Sequence, residues 1–217
     1  MGFVIAVDGP AASGKGTVAS RLGEVYHLPV LDSGLLYRAI GLAVVDAAAD
    51  LDNEEDCARE ARHLDFSRLE GARYRTRAAG EAASRVAVHP AVRQTLIEFQ
   101  RAFAKREPGA VIDGRDIGTV IVPDASAKLY VTASQAARAT RRWRQLVGLG
   151  ESADFDDILA DIQKRDARDA ARAAAPMRPA ADAVLLDTTD LDIDSAFDAA
   201  RRVVEAARAR WEQSHKG

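Results

Sequence analysis

Nine residues near the N-terminus, Gly9-Pro10-Ala11-Ala12-Ser13-Gly14-Lys15-Gly16-Thr17, join three glycines, a lysine and a threonine at a spacing that suits one task, holding a chain of phosphates. Gly9 and Gly14 let the backbone curl until several N–H groups point at one spot. A helix opening after the loop adds the positive end of its dipole, and Lys15 adds a full charge. Gly16 stands where this pattern usually carries Ser or Thr, and Thr17 comes one residue late. Contact between Thr17 and a phosphate-bound Mg²⁺ is therefore left open between direct, water-mediated and absent. Asp113, which ends the apolar run Val111-Ile112, is the second metal-side candidate. A carboxylate at the carboxyl end of a buried strand is where such folds hold Mg²⁺ or its water shell.

A phosphate cradle alone serves switches, motors and kinases alike. The remaining charged motifs ask for a second anionic ligand. In Leu31-Asp32-Ser33-Gly34-Leu35-Leu36-Tyr37-Arg38, Ser33 opens a helix, where its hydroxyl caps the helix or meets an anion, and Arg38 projects from the second turn. Asp32 either joins the site or caps the helix. Gly114-Arg115-Asp116-Ile117-Gly118 follows Asp113 directly and lies where open α/β sheets bind ligands. In the helical pattern over 155–172, Ile158 and Ile162 share a face that continues into Arg165, Asp169 and Arg172. An apolar stripe that turns into charge without leaving its side lines a cleft, because unpaired charge cannot be buried cheaply. Arg138, Arg141 and Arg142 share a face of another helix and lead into a break at 148–153. They form either a segment that closes over phosphates or a solvated face.

The elements that must position these groups alternate. Apolar runs at 3–7, 28–31, 110–112, 128–131 and 183–186 read as five short strands, and helical patterns lie between them. Short buried strands separated by helices predict a parallel sheet covered on both faces. Between the second and third strands the rhythm changes. Helical patterns over 53–64 and 91–103 flank an irregular polar stretch at 65–75, which predicts a mostly helical insertion. The last helix is expected at 195–211. The chain has 217 residues, 30 Lys+Arg against 33 Asp+Glu, and a formal net charge of −3. That balance argues against a nucleic-acid coat or a polybasic membrane binder. Cys57 is the single cysteine, which excludes a disulfide framework or a thiolate metal cluster. No apolar run is long enough to span a bilayer, and the start at Met1 lacks the pattern of a signal peptide, so a cytoplasmic protein is expected. Only five of the cations are lysines (15, 105, 128, 164 and 216); the rest are arginines, whose planar fork grips phosphate at two points.

Taken together, these motifs resemble the bacterial cytidylate kinases, the CMP/dCMP kinases among nucleoside monophosphate kinases. The likeness covers nearly the whole chain, through residues 5–17, 31–38, 81–93, 113–123 and 165–179. Residues 31–38, 81–87 and 165–172 separate this family from the adenylate, guanylate and thymidylate kinases. The resemblance implies an α/β, three-layer P-loop fold with a five-stranded parallel sheet flanked by helices. It implies one kinase domain with a core at about 1–32, 108–140 and 175–217, an NMP-binding insertion at about 33–107 and a short lid at about 141–165. The implied ATP phosphate-binding residues are Gly9, Pro10, Ala11, Ala12, Ser13, Gly14, Lys15, Gly16 and Thr17. Ser84, Arg93 and Asp116 are implied cytosine readers, and Ser33, Arg38, Arg115 and Arg172 hold the acceptor phosphate. Tyr37, Arg165 and Asp169 complete the CMP site; Lys15, Arg115, Arg165 and Arg172 serve transfer; Arg138, Arg141 and Arg142 belong to the lid. The partners implied are ATP with Mg²⁺ and CMP or dCMP, acting on a monomer, without nucleic acid or membrane. The family commonly carries a small three-stranded sheet in its insertion. Here only residues 65–75 are available for it, so the insertion is expected to be reduced. The alternatives are a kinase for another monophosphate, such as UMP or AMP, and an ATP-dependent switch.

Overall fold

The computed structural model describes residues 2–66, 69 and 71–215. Its sheet has five parallel strands, β1 (Phe3–Asp8), β2 (Val30–Asp32), β3 (Gly109–Gly114), β4 (Ala127–Thr132) and β5 (Val184–Asp187), in the order β2-β3-β1-β4-β5. β1 and β3 are buried at every position, as strands with a helix layer on each side must be. The period of two then sorts their side chains. Phe3, Ile5 and Val7 face α1 (Lys15–Tyr26) and α8 (Ile193–Ser214) through Val18, Leu22, Phe197 and Val204. Val4, Ala6 and Ile112 face the other way, onto Phe103 and Ala104 of α5 (Pro90–Ala104) and onto Ile117 and Ile121. Cutting the fully buried Leu22 back to Ala would cost about 2–5 kcal/mol. The two edge strands are less covered: Val30 of β2 and Val184 and Leu185 of β5 are exposed.

Between β2 and β3 the chain is helical: α2 (Ser33–Asp46), α3 (Glu54–His63), a 3₁₀ turn (Ala72–Arg75), α4 (Arg77–Val86) and α5. Leu36, Ile40, Val44, Cys57, Val86, Val92 and Leu96 give this region its own apolar core. No strand occurs in it among the described residues; of the short polar stretch, Ser67, Arg68 and Glu70 lie outside them. Asn53 caps α3 by accepting from the N–H groups of Glu55 and Asp56, and the acidic first turn suits the positive end of the dipole. Sequence patterning had not separated α4 as an element. Its buried face is Ala79, Gly80, Ala82, Ala83 and Val86, too small to stand out as an apolar stripe. Small residues are what the packing requires: a Cβ on Gly41 of α2 would stand 2.8 Å from the Ala82 backbone.

After β4, α6 (Gln135–Gly148) and α7 (Phe155–Ala170) form an antiparallel pair around Ala139, Leu146, Ile158 and Ile162. Asp154 caps α7, and the helix ends at Ala170, so Arg172 lies just past it rather than inside it. The charged stripe nevertheless stays on the buried side. Ile158 and Ile162 lead to Asp169, 1 % exposed, and the Arg172 side chain is 5 % exposed.

Candidate active site

The phosphate loop leaves β1 at Gly9, whose φ of +146° and lack of a side chain are both required: a Cβ there would lie 1.9 Å from the Val131 carbonyl oxygen. Gly14, at φ +90°, occupies the N-cap of α1, with no side chain capping the helix and no acidic residue in its first turn. The positive end of α1 therefore carries no anion of its own. Ser13 is fully buried and its hydroxyl has no partner, while its carbonyl oxygen accepts from Arg141 and from the Thr188 hydroxyl. Pro10 is buried; Ala11, Ala12 and Lys15 open onto the cleft; Gly16 and Thr17 are exposed on the first turn of α1.

Lys15 lies 3.6 Å from Asp113. Burial drives both toward their neutral forms, the lysine downward with Arg115 adding to the effect, the aspartate upward against the pull of Lys15. Asp113 keeps one buried oxygen without a partner. A Cβ at position 16 would stand 3.2 Å from its other oxygen, so glycine there keeps the carboxylate clear. Asp32 does both of the things its sequence position allowed: it accepts from the Leu35 N–H as the cap of α2, and it pairs with Arg38 at 3.3 Å. Burial raises its carboxyl, but Arg38 and Lys15 outweigh burial and hold it below the usual range. Ser33 is therefore not the cap; it is a buried first residue of α2.

A cavity of about 180 Å³ lies between the loop and the insertion, lined by Lys15, Arg38, Arg115, Arg142 and Arg165, with Ala11, Ala12 and Ile162. Beside it a smaller one of about 30 Å³ is lined by Ser33, Tyr37, Arg93, Asp116, Asp169 and Arg172. Arg115 and Arg165 line both. Asp169 accepts from Arg115 at 3.2 Å and pairs with Arg172. Burial raises the Asp169 carboxyl, yet Arg115, Arg172 and Arg165 more than reverse this. Arg165 is driven the other way, to about 9, first by burial and then by Arg115, and its Nε has no partner. A guanidinium held that far below its ordinary value is short of negative charge.

Arg93, 4 % exposed, pairs with the equally buried Asp116 and also donates to the Ala87 carbonyl. Burial raises Asp116, opposed by Arg93, Arg172 and Arg115. Tyr37 lies beside Arg93, and burial pushes its hydroxyl up to about 12. Ser84 is 1 % exposed with an unpartnered hydroxyl; its neighbours Ala83 and Ala87 line the smaller cavity.

A solvated face does not describe Arg138, Arg141 and Arg142 of α6. Arg138 is 3 % exposed, pairs with Asp166 at 2.5 Å and donates to the carbonyls of Ala133 and Ala11. Arg141 donates to the Ser13 carbonyl and to both oxygens of Thr188, and Arg142 to the carbonyls of Arg75 and Thr76. Sequence reasoning passed over Thr188 and Asp8. Thr188 is 2 % exposed and ties the end of β5 to the phosphate loop. Asp8 is 4 % exposed at the end of β1, and two N–H groups more than a hundred residues away donate to it. Only an aspartate closing an otherwise apolar strand marked it in the sequence.

Comparison with known proteins fits this geometry. Residues 5–206 match the cytidylate kinase family. A cytidylate kinase of Caulobacter sp. strain K31 is 65 % identical over 211 residues, 97 % of this chain and 98 % of that one. A cytidylate kinase of Rhizobium meliloti strain 1021 is 54 % identical over 207 residues, 95 % of this chain and 98 % of that one. The crystal structure of an uncharacterized protein from Eubacterium ventriosum shares the fold, with a TM-score of 0.53 at 18 % identity over 95 % of this chain and 99 % of that one. With its phosphate loop, its shared arginine wall and this likeness along almost its whole length, the chain belongs to the cytidylate kinase family and is a phosphotransferase acting on a nucleoside monophosphate.

Proposed function

We propose that the cleft moves the γ-phosphoryl group of ATP onto the 5′-phosphate of CMP or dCMP, giving ADP and CDP or dCDP. The observation that carries this reading is the common wall: Arg115 and Arg165 line both the cavity beside Lys15 and the one beside Asp116. Two polyanions brought to the two sides of that wall would have their reacting phosphates in one field of positive charge. The attacking oxygen belongs to a phosphate already ionised at neutral pH, so no general base is needed. Catalysis then consists of positioning and charge neutralisation.

In this reading the residues 9–17 loop and Lys15 hold the donor phosphates. Ser33, Arg38, Arg115, Arg165 and Arg172 hold the acceptor phosphate, and Asp169 keeps Arg115 and Arg172 in place. Mg²⁺ fits the donor side. Asp113 offers a buried oxygen without a partner, and Asp32 beside it supplies further hard oxygens; Thr17, exposed on the first turn of α1, would reach the ion only through water. Among the described residues no group of three or more acidic or imidazole side chains could cage a metal, which suits an ion shared with phosphate and water. When bound, the ion would neutralise charge building on the donor phosphates.

Cytosine suits the Arg93–Asp116 pair because its edge carries both kinds of partner. Its 4-amino group would donate to Asp116 and Ser84, and its ring acceptors would receive from Arg93 and its N–H groups. Uracil puts an oxygen at the 4-position, facing a carboxylate, and a site built to hydrogen-bond one group rejects the analogue that lacks it. The test is a panel of CMP, dCMP, UMP, AMP and GMP with ATP and Mg²⁺, following ADP release. The expected result is turnover with CMP and dCMP and little with the others. Preference for another monophosphate would overturn the cytosine assignment, and slow ATP hydrolysis indifferent to every acceptor would favour a switch.

A further inference from the structure

Asp116 sits at the N-cap of a π-helical turn, Ile117–Ile121, with φ −145°. An aspartate at that position ordinarily turns its carboxylate back to accept the first free N–H groups of the helix. Asp116 makes no such bond; its carboxylate points away and pairs with Arg93. The orphan donors are met from elsewhere. Asp8, the last residue of β1, accepts from the Ile117 N–H through Oδ1 and the Gly118 N–H through Oδ2, both at 2.8 Å. Strand order makes this feasible: β1 lies between β3 and β4, with Asp8 in register with Gly114 and Tyr130.

We propose that Asp8 is a positioning residue for acceptor specificity: by capping the Ile117–Ile121 turn in place of Asp116, it leaves the Asp116 carboxylate free to face the base. This rests on the reading of Asp116 as a cytosine reader. Asp8 also directly precedes Gly9, so one side chain joins the start of the donor loop to the segment that carries Arg115 and Asp116. Burial raises Asp8 to about 6, with Asp116 adding to this effect, while the two N–H donors and Arg115 oppose it. Near neutral pH it is mostly ionised and accepts with both oxygens. Were the cap lost, the Asp116 carboxylate, standing at the N-cap of the same turn, would compete for the freed N–H groups, and each bond it made there would be withdrawn from Arg93 and the base.

The test compares kcat/KM for CMP and UMP in Asp8→Asn, Asp116→Ala and the double variant, with KM for ATP measured alongside. Asn matches the shape of Asp but presents an amide N–H to one of the two donors. The expected result is a CMP/UMP ratio reduced roughly tenfold in Asp8→Asn, the scale of one hydrogen bond to a charged group. KM for ATP should change far less, and Asp8→Asn should have no further effect on the ratio once Asp116 is Ala. A ratio unchanged in Asp8→Asn but reduced in Asp116→Ala would overturn the proposal and leave the cytosine reading standing. A ratio unchanged in Asp116→Ala would overturn the cytosine reading itself. If Asp8→Asn gives no cooperative melt, Asp8→Ser, whose hydroxyl accepts one N–H, takes its place. Failure of both to fold would assign Asp8 a purely structural role and overturn the proposal.

Discussion

Lys15 and Asp113 illustrate what a single residue can and cannot reveal before the chain is folded. The lysine was legible because everything that gives it meaning is contiguous: glycines before it, a helix after it, a strand ahead of the loop. Asp113 was legible for a similar reason, as a carboxylate ending an apolar run. Asp8 ends an equally apolar run and was not, because its partners at 117 and 118 become neighbours only when β1 inserts between β3 and β4. The Ser33 cap failed for a subtler cause, since the preceding Asp32 reaches the same orphan N–H and a carboxylate is at least as good an acceptor. In Lys15→Ala, phosphoryl transfer should fall by at least about a hundredfold, the scale of losing one charge-stabilising donor from a closed site. Thermal stability should hold or rise, because burial keeps the ammonium below its ordinary basicity and its charge costs the folded state. Near-normal turnover in a coupled ADP assay would remove Lys15 from the mechanism.

At the scale of elements, the sheet and the long helices followed from period alone, and their boundaries shifted by one to three residues. α4 did not, because a helix built to pack closely presents alanine and glycine where a pattern search looks for leucine. What α4 carries is informative. Arg77 reaches Asp161 at 2.5 Å and Asp157 at 3.7 Å, and Glu81 meets Arg168 at 2.9 Å and Lys164 at 4.0 Å, so ion pairs bridge α4 and α7 across the mouth of the larger cavity. The Arg77, Asp161 and Glu81 side chains are each more than two-fifths exposed, so each pair contributes about 0–1 kcal/mol. A clasp this weak suits a cleft that must open to exchange nucleotides. Raising the ionic strength to about 1 M, where the Debye length is about 3 Å, should loosen it. Hydrogen exchange should then speed up at the amides of α4, with those of α1 unchanged. Equal exchange in α4 at low and high salt would show that apolar packing against α2, not charge, holds it in place.

The whole molecule places several carboxylates where charge is costly, and the consequence is a stability that runs against habit near neutrality. Asp8, at about 6, and Asp113, also raised, bind protons more tightly folded than unfolded. Stability from such a group is fully present below its unfolded value, 3.8, and is lost as pH rises through the folded one. Asp116 is raised as well and acts in the same sense. Asp32 and Asp169 are held below their ordinary values, so what they contribute is present above 3.8 and is lost only in stronger acid. Lys15 and Arg165 are lowered, and their cost appears as pH falls from alkaline values through the folded ones, leaving little slope in weak acid. The ligand-free protein should therefore melt at a higher temperature near pH 5 than near pH 7, and Asp8→Asn should reduce the difference. Scanning calorimetry across that interval decides the matter. A melting temperature that climbs steadily from pH 5 to pH 7 would mean that the buried carboxylates titrate as ordinary ones. The polar crevice would then impose no measurable cost on the folded chain.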